Sequence, residues 1–412
     1  MRRVVVTGIG VISPVGNTVA DFWNSLIAGK CGIDFITKFD TTDFKVKIAA
    51  EVKNFDPRCY MDKNEVRKTD LFAQYAIAAA SQAMADSGIN GTLEPERIGV
   101  YVGSGTGGMN TFVTECEKFL AGGPKKVSPF FVPMMISNMA AGNIAIQFNA
   151  QGPCLPVVTA CATATHAIGE AFRAIKHGYA DAIISGGAEA AITPLSIAGF
   201  TNCMALTTKN IPNESSIPFD KRRDGFVMGE GAGILILEEY EHAKARNAKI
   251  YAEINGYGNT CDAYHITAPH PDALGGARAI SLAIEEAEMQ DENQIYINAH
   301  GTSTPLNDKA ETAAIKAALG DKAYEACISS TKSMTGHMLG AAGGVEAIAS
   351  VLALEQAVLP PTIGYREKDE FCDLDYIPNT ARKKEVNLAL SISLGFGGHN
   401  ACIAFTRYRG EA

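Results

Sequence analysis

The feature that most constrains this chain is a rhythm. Short apolar, β-branched runs alternate with longer alanine-rich segments from one end to the other. The runs at 4–7, 98–102, 157–159, 182–185, 234–237, 251–254, 295–298, 327–329, 388–394 and 402–405 predict strands. The segments 71–87, 164–177, 273–287, 309–319 and 344–356 predict helices. Such alternation predicts an α/β chain with buried sheets. At 412 residues the chain can form two or three domains, or one large duplicated unit. Residues 98–106 echo 295–302, each a strand running into a Gly-Thr loop, and 157–161 echo 390–396. We therefore expect two similar halves, 1–250 and 251–412.

Composition excludes several classes. With 20% charged and 47% hydrophobic residues the chain is not disordered. Its 36 basic and 45 acidic side chains leave a net charge of −9, which argues against nucleic acid or an anionic membrane as partner. After Met1-Arg2-Arg3 the apolar run is too short for a signal peptide, and no stretch reaches the roughly 18 apolar residues of a membrane span. The ten cysteines contain no C-x-x-C pair, which speaks against a zinc site and a disulfide framework and fits a reducing cytoplasm. Most of these thiols are expected to be small buried hydrophobes.

Two glycine-rich stretches invite a nucleotide reading. Gly8-Ile9-Gly10 is followed by Ser13 and Pro14, where a third glycine and a helix start are needed. Gly103-Ser104-Gly105-Thr106-Gly107-Gly108 matches G-x-G-x-x-G, but about 20 residues on come Lys125 and Lys126 rather than a ribose-binding acid. Tight strand–helix turns are the better reading of both. His, Cys and Asp show no metal-ligand spacing, and His337-Met338-Leu339 does not begin an H-E-x-x-H motif, so no metal is expected.

Cys161 stands apart from the other thiols. It falls where the 157–159 run ends and the 164–177 segment begins. A sulfur there meets the free N–H groups and positive end of a helix, an environment that lowers a thiol's pKa and arms it for attack on a carbonyl. The alternative is a buried structural cysteine. His166, five residues on and about 140° around a helix, faces elsewhere. His300 ends one strand in a tight turn, and His337 follows another; taken alone, each histidine is more often a hydrogen-bonded structural group than a catalyst. Gly395-Phe396-Gly397-Gly398 closes a third strand, its glycines letting backbone N–H groups approach a ligand and Phe396 swing.

Four of these loops read TACATA, NAHGTSTPLNDKAE, SSTKSMTGHMLGAAG and LGFGGHN. Together they resemble the β-ketoacyl-[acyl carrier protein] synthases of dissociated fatty-acid synthesis, closest to type II. The resemblance extends over nearly the whole chain, through VVVTGIGVISPVG, GGPKKVSPFFVP, PFDKRRDGFVMGEGAG and YHITAP. It implies the thiolase-like five-layered α-β-α-β-α fold made of two duplicated halves, and a homodimer. It implies that Cys161 accepts the acyl group, that His300 and His337 are its partners, and that Lys332 supports the histidines electrostatically. Phe396 would gate the acyl pocket, its N–H and that of Cys161 forming an oxyanion hole. Thr302 and Thr304 would touch the pantetheine arm; Thr106 and Phe200 would lie along the acyl tunnel. Asp308, Glu311 and Glu346 read as mainly structural. The chain departs from the pattern at His399, where threonine is frequent, and at Thr106, where isoleucine is common.

The implied reaction is a decarboxylative Claisen condensation of an acyl-carrier protein with malonyl-carrier protein, requiring no cofactor. The partner, acyl carrier protein, is acidic; Arg67, Lys68, Lys125 and Lys126 are its expected docking residues, with Lys209 weaker. The competing readings are a type I or polyketide-type synthase of the same superfamily, and a non-catalytic chain-length partner subunit, against which Cys161 speaks.

Overall fold

The computed structural model describes residues 1–290, 292 and 294–410. Nine strands form one continuous sheet: β1 (Val4–Ile12), β2 (Ile98–Gly103), β3 (Ala182–Glu189), β4 (Gly231–Glu239), β5 (Ala252–Cys261), β6 (Ile295–Asn298), β7 (Cys327–Ser329), β8 (Leu388–Gly395) and β9 (His399–Thr406). Their spatial order is β2-β3-β4-β1-β5-β9-β8-β6-β7. The seam between β1 and β5 is narrow, formed by Val4–Ile254, Val5–Glu253 and Val6–Ala252.

Outward from that seam the two limbs repeat. In one, β1 pairs antiparallel with β4, β4 antiparallel with β3, and β3 parallel with β2. In the other, β5 pairs antiparallel with β9, β9 antiparallel with β8, and β8 parallel with β6. The echo of 98–106 in 295–302 thus joins topologically equivalent strands. The echo of 157–161 in 390–396 does not: β8 corresponds to β3.

Helices complete the layers. α1 (Leu71–Ser87) and α3 (Met139–Phe148) cover the outer face of the first limb; α2 (Met109–Gly122) lies at the surface, with only Thr111 and Glu115 buried. α6 (Leu274–Glu286) and α7 (Pro305–Leu319) cover the outer face of the second limb. Between the limbs lie α4 (Thr163–Lys176) and α8 (Ala342–Gln356), which touch strands of both, and the short α5 (Pro194–Asn202) carries Phe200. The result is α-β-α-β-α, the thiolase-like arrangement. α8 is buried on all sides along most of its length, as its largely apolar sequence allows, with Glu346 the one charge in that buried stretch. Its close approach needs glycine: a Cβ on Gly344 would stand 2.3 Å from the Gly233 carbonyl oxygen of β4. α1 is delimited by its ends, with the Asp70 carboxylate accepting from the Phe72 N–H and Gly88 left-handed at φ 59°.

Two expectations are corrected. Residues 157–159 are not a strand. The segment runs parallel beside β2, but only Cys154 bridges to Val100, and Pro153 and Pro156 interrupt the ladder because proline has no N–H to donate. Gly8 and Gly10 are not in a turn either. They lie within β1, where a Cβ would strike the Ala83 and Ala79 carbonyl oxygens at 2.3 and 2.0 Å, so their smallness lets α1 lie on the sheet.

Candidate active site

Because β6, β7 and β8 run parallel, their carboxyl ends emerge on one side of the sheet. His300 follows β6, Lys332 and His337 follow β7, and Phe396 follows β8. From the other limb comes Cys161, in a single 3₁₀ turn, Ala160–Ala162, ahead of α4. No side chain caps that helix; the turn itself takes the Ala162 and Thr163 N–H groups, onto the Thr159 and Ala160 carbonyls. Ala160 sits at φ 51°, a left-handed conformation that costs a non-glycine residue about 1–2 kcal/mol and turns Cys161 out of the chain's path. Gly395 packs against this turn; a Cβ there would lie 2.8 Å from the Thr159 carbonyl oxygen and 3.4 Å from the Cys161 nitrogen.

Cys161, His300, His337 and Phe396 line one cavity of about 380 Å³, together with Phe200, Thr302 and Thr304. The Phe396 N–H points at the Cys161 sulfur. The two imidazoles meet edge to face, centroids 5.2 Å apart at 89°, and Phe226 packs on the far edge of His337 at 5.1 Å. His337 is fixed by its backbone, its N–H donating to the Val227 carbonyl at 2.7 Å and its carbonyl accepting from Gly229. Burial, then the charge of Lys332, hold both imidazoles well below the ordinary histidine pKa, with His337 adding to the effect on His300. Both are therefore neutral, and each carries one N–H to donate.

Lys332 is buried and ion-paired with equally buried Glu346. Removing one partner of such a pair strands the other, at about 3–5 kcal/mol. Glu311 accepts from the His300 and Gly301 N–H groups at 2.6 and 2.7 Å, holding the histidine loop; burial raises its pKa to about 8. Asp308 accepts from the Phe219 N–H at 2.8 Å. The Thr302 and Thr304 hydroxyls are 3.0 Å apart on the cavity wall.

The thiol corrects a sequence expectation. Burial pushes Cys161 up to about 12, against the pull of Lys332 and the Phe396 N–H, with Glu189 adding to the rise. Desolvation outweighs the helix terminus, and the resting group is S–H. The rate of Cys161 alkylation by iodoacetamide should therefore climb nearly tenfold per pH unit from 7 to 9. A plateau near 8.5, the mark of an ordinary thiol, would contradict this.

Thr106, expected along the tunnel, is not part of the cavity wall. Its hydroxyl donates to Glu189 at 2.6 Å. Glu189, at the end of β3, also accepts from the Ser104 hydroxyl and from the N–H groups of Gly105, Thr106 and Gly340. The glycine-rich loop after β2 thus cradles an anion, but the anion is the protein's own carboxylate. His166 faces away from the cavity, toward Thr159 and Asn259.

Arg67, Lys68, Lys125 and Lys126 are exposed. Lys68 lies 5.3 Å over the Phe130 ring, which brings the 124–130 segment beside the 67–68 pair. Lys209 is engaged elsewhere, with Asp224 at 3.5 Å and the Arg222 carbonyl. Asp224, Asp262, Met204, Leu306 and Asn400 also line the cavity and carried no sequence signal by themselves. Thr267 does so too, from a loop visible only as part of YHITAP. Among the described residues no group of three His, Cys, Asp or Glu could hold a metal ion. None of the described helices is long and apolar enough to cross a membrane.

A buried thiol ahead of a helix on one limb, facing two neutral imidazoles and a backbone donor from the other, defines the condensing class of thiolase-like proteins. The family described as "Beta-ketoacyl synthase, N-terminal domain" matches residues 1–243, and its C-terminal counterpart matches 251–366. The chain belongs to the β-ketoacyl synthase family. It is 52% identical over 410 residues to 3-oxoacyl-[acyl-carrier-protein] synthase 2 of Synechocystis sp., covering 99% of both chains. Among solved structures it resembles the ishigamide ketosynthase/chain length factor, with a TM-score of 0.93, 38% identity and 99% of each chain covered. It also resembles a type II polyketide synthase ketosynthase bound to the hexaketide, in complex with its acyl carrier protein, with a TM-score of 0.90, 35% identity and 99% of each chain covered.

Proposed function

We propose that the protein is the elongation enzyme of type II fatty-acid synthesis, condensing acyl-carrier protein with malonyl-carrier protein to give 3-oxoacyl-carrier protein and CO₂. The observation that carries this reading is the single cavity shared by Cys161, His300, His337 and the Phe396 N–H. Cys161 loses its proton as it attacks the thioester carbonyl, a neutral imidazole in the same cavity being the available base. The alkoxide that forms is held by the Phe396 and Cys161 N–H groups. Carrier thiol leaves with a proton, and the acyl group stays on sulfur. The malonyl thioester then loses CO₂, its C–C electron pair becoming an enolate whose oxygen accepts N–H from His300 and His337. That carbon attacks the acyl–sulfur carbonyl, the C–S bond breaks, and the thiol is reprotonated. Burial, and then the charge of Lys332, keeps both imidazoles neutral, which lets each donate to the enolate instead of quenching it as an acid.

The test is direct. Incubated with an acyl-carrier protein, the enzyme should gain one acyl mass on the Cys161 peptide; with malonyl-carrier protein added, it should release CO₂ and the extended ketone. Acylation at another residue would defeat the assignment. The identity of 52% to a 3-oxoacyl-[acyl-carrier-protein] synthase 2, against 35% to the ketosynthase of a type II polyketide synthase, favours the fatty-acid substrate over a polyketide one.

Carrier docking falls to Arg67, Lys68, Lys125 and Lys126, an exposed basic group on a chain of net charge −9 facing an acidic partner. Charge reversal at Lys125 and Lys126 should raise KM for carrier-bound substrates about tenfold and leave CoA thioesters unchanged. Equal effects on both would refute docking there.

We read the enzyme as a cytoplasmic homodimer of chains whose halves divide at 250/251. Phe112, Phe119, Leu120, Phe130 and Val132 are exposed apolar side chains within one short stretch, more than a lone surface explains, and suit a second copy. Sedimentation should give twice the chain mass; a monomer at micromolar concentration would reject this. All ten cysteines are free thiols, in keeping with a reducing compartment.

A further inference from the structure

A second pair of imidazoles stands behind the reacting sulfur. His166, buried on α4, and His399, the first residue of β9, lie edge to face with ring centroids 6.2 Å apart and planes at 84°. His166 is fully engaged: Nδ1 is 2.8 Å from Thr159 Oγ1, and Nε2 is 3.1 Å from Asn259 Oδ1. The amide oxygen can only accept, so Nε2 carries the proton and the Thr159 hydroxyl donates to Nδ1. Thr159 is two residues before Cys161, and its carbonyl accepts from the Ala162 N–H at 3.0 Å. His166 therefore braces the turn that presents the sulfur.

His399 acts by shape. Strand pairing sets it opposite Gly395 across the β8–β9 hairpin and opposite Cys261 on β5. Its ring lies under the tip of that hairpin: a Cβ built on Gly397 would sit 3.1 Å from Cδ2 and 3.2 Å from Nε2. Gly397 and Gly398 are left-handed, at φ 84° and 75°; the Gly397 N–H donates to the Ile266 carbonyl and the Gly398 carbonyl accepts from the Asp262 N–H, both at 2.8 Å, and the His399 ring adds support from beneath. The ring lies between the tip of the loop bearing Phe396 and His166 on α4, the helix that follows the Cys161 turn.

We propose that His399, backed by His166, is a positioning residue that sets the 396–398 loop over Cys161 and keeps the Phe396 N–H aimed at the reacting sulfur. The inference rests on the reading that Cys161 is acylated. With a smaller side chain at 399 the loop settles toward His166, and the donor leaves its line to the sulfur. A displacement on the ångström scale at a reacting centre costs ten- to a hundredfold in rate.

The experiment compares H399A, H399T and H399F with wild type in three measurements: Cys161 acylation by an acyl-carrier protein, Cys161 alkylation by iodoacetamide, and melting temperature. Alkylation needs the thiol but no oxyanion donor. Acylation should fall roughly tenfold in H399A and H399T, alkylation should stay within twofold, and H399F, which restores a ring-sized wedge, should recover most of the acylation rate. Threonine is a good strand former, so H399T keeps the test open if alanine loosens the hairpin. Unchanged acylation in H399A and H399T overturns the inference alone, as does a parallel loss of acylation and alkylation, or a phenylalanine variant no better than alanine. Absence of wild-type acylation overturns the reading of the site and the inference with it.

Discussion

Cys161→Ala is expected to take up no acyl group from an acyl thioester and to lose condensation by roughly 10⁴-fold or more, the scale of removing a covalent nucleophile from a preorganised site. The substitution deletes one sulfur from a turn whose neighbours, Ala160 and Ala162, are already alanine. The fold loses one small set of contacts, about 1 kcal/mol, so the far-UV spectrum and melting temperature should scarcely move. Intact-mass measurement after incubation with acyl-carrier protein reads the result. An adduct that persists on the alanine variant would show that some other side chain, such as Cys203 on the same cavity wall, carries the acyl group.

His337→Ala separates the two half-reactions. Acylation relies on backbone donors at Cys161 and Phe396, which the substitution leaves in place. Enolate formation relies on the paired imidazoles, and losing one preorganised donor costs about 10²–10³-fold. CO₂ release from malonyl-carrier protein should therefore fall by that factor, and single-turnover acylation by less than tenfold. Equal loss in both would mean that His337 serves the sulfur rather than the enolate. The backbone of residue 337 is held by Val227 and Gly229, so truncating its ring leaves the loop anchored.

Much of this site is legible in the sequence, and the parts that are not share a cause. Ile295–Asn298 and Cys327–Ser329 are strands with the bounds their apolar runs imply, because each run is short, fully buried and closed by a polar turn. The loops that follow them carry His300, Lys332 and His337, so recognising the strands also located the reacting groups. Residues 157–159 look equally strand-like in composition. There, however, the ladder is interrupted by Pro153 and by Pro156, directly before the run, and the composition of 157–159 by itself does not carry that break. Gly8 and Gly10 read as a turn because a sequence does not display the helix lying across them. The Cys161 thiol failed in the same way: helix position is visible along the chain, but the desolvation that dominates its acidity comes from residues distant in sequence. Glu189 left no trace at all, since its five donors come from the loop after β2 and from Gly340.

The limbs of the sheet meet through only three residue pairs, Val4–Val6 against Ala252–Ile254, and the groups that must react arrive from opposite sides of that join. Neither limb alone holds a complete set of chemistry: one owns the sulfur, the other both imidazoles and the loop that covers them. Turnover is for that reason a faithful gauge of whether the whole molecule is assembled. Cleaving the connection near 250 would leave two fragments that are each silent when separate, and that regain activity together only if they re-form the join.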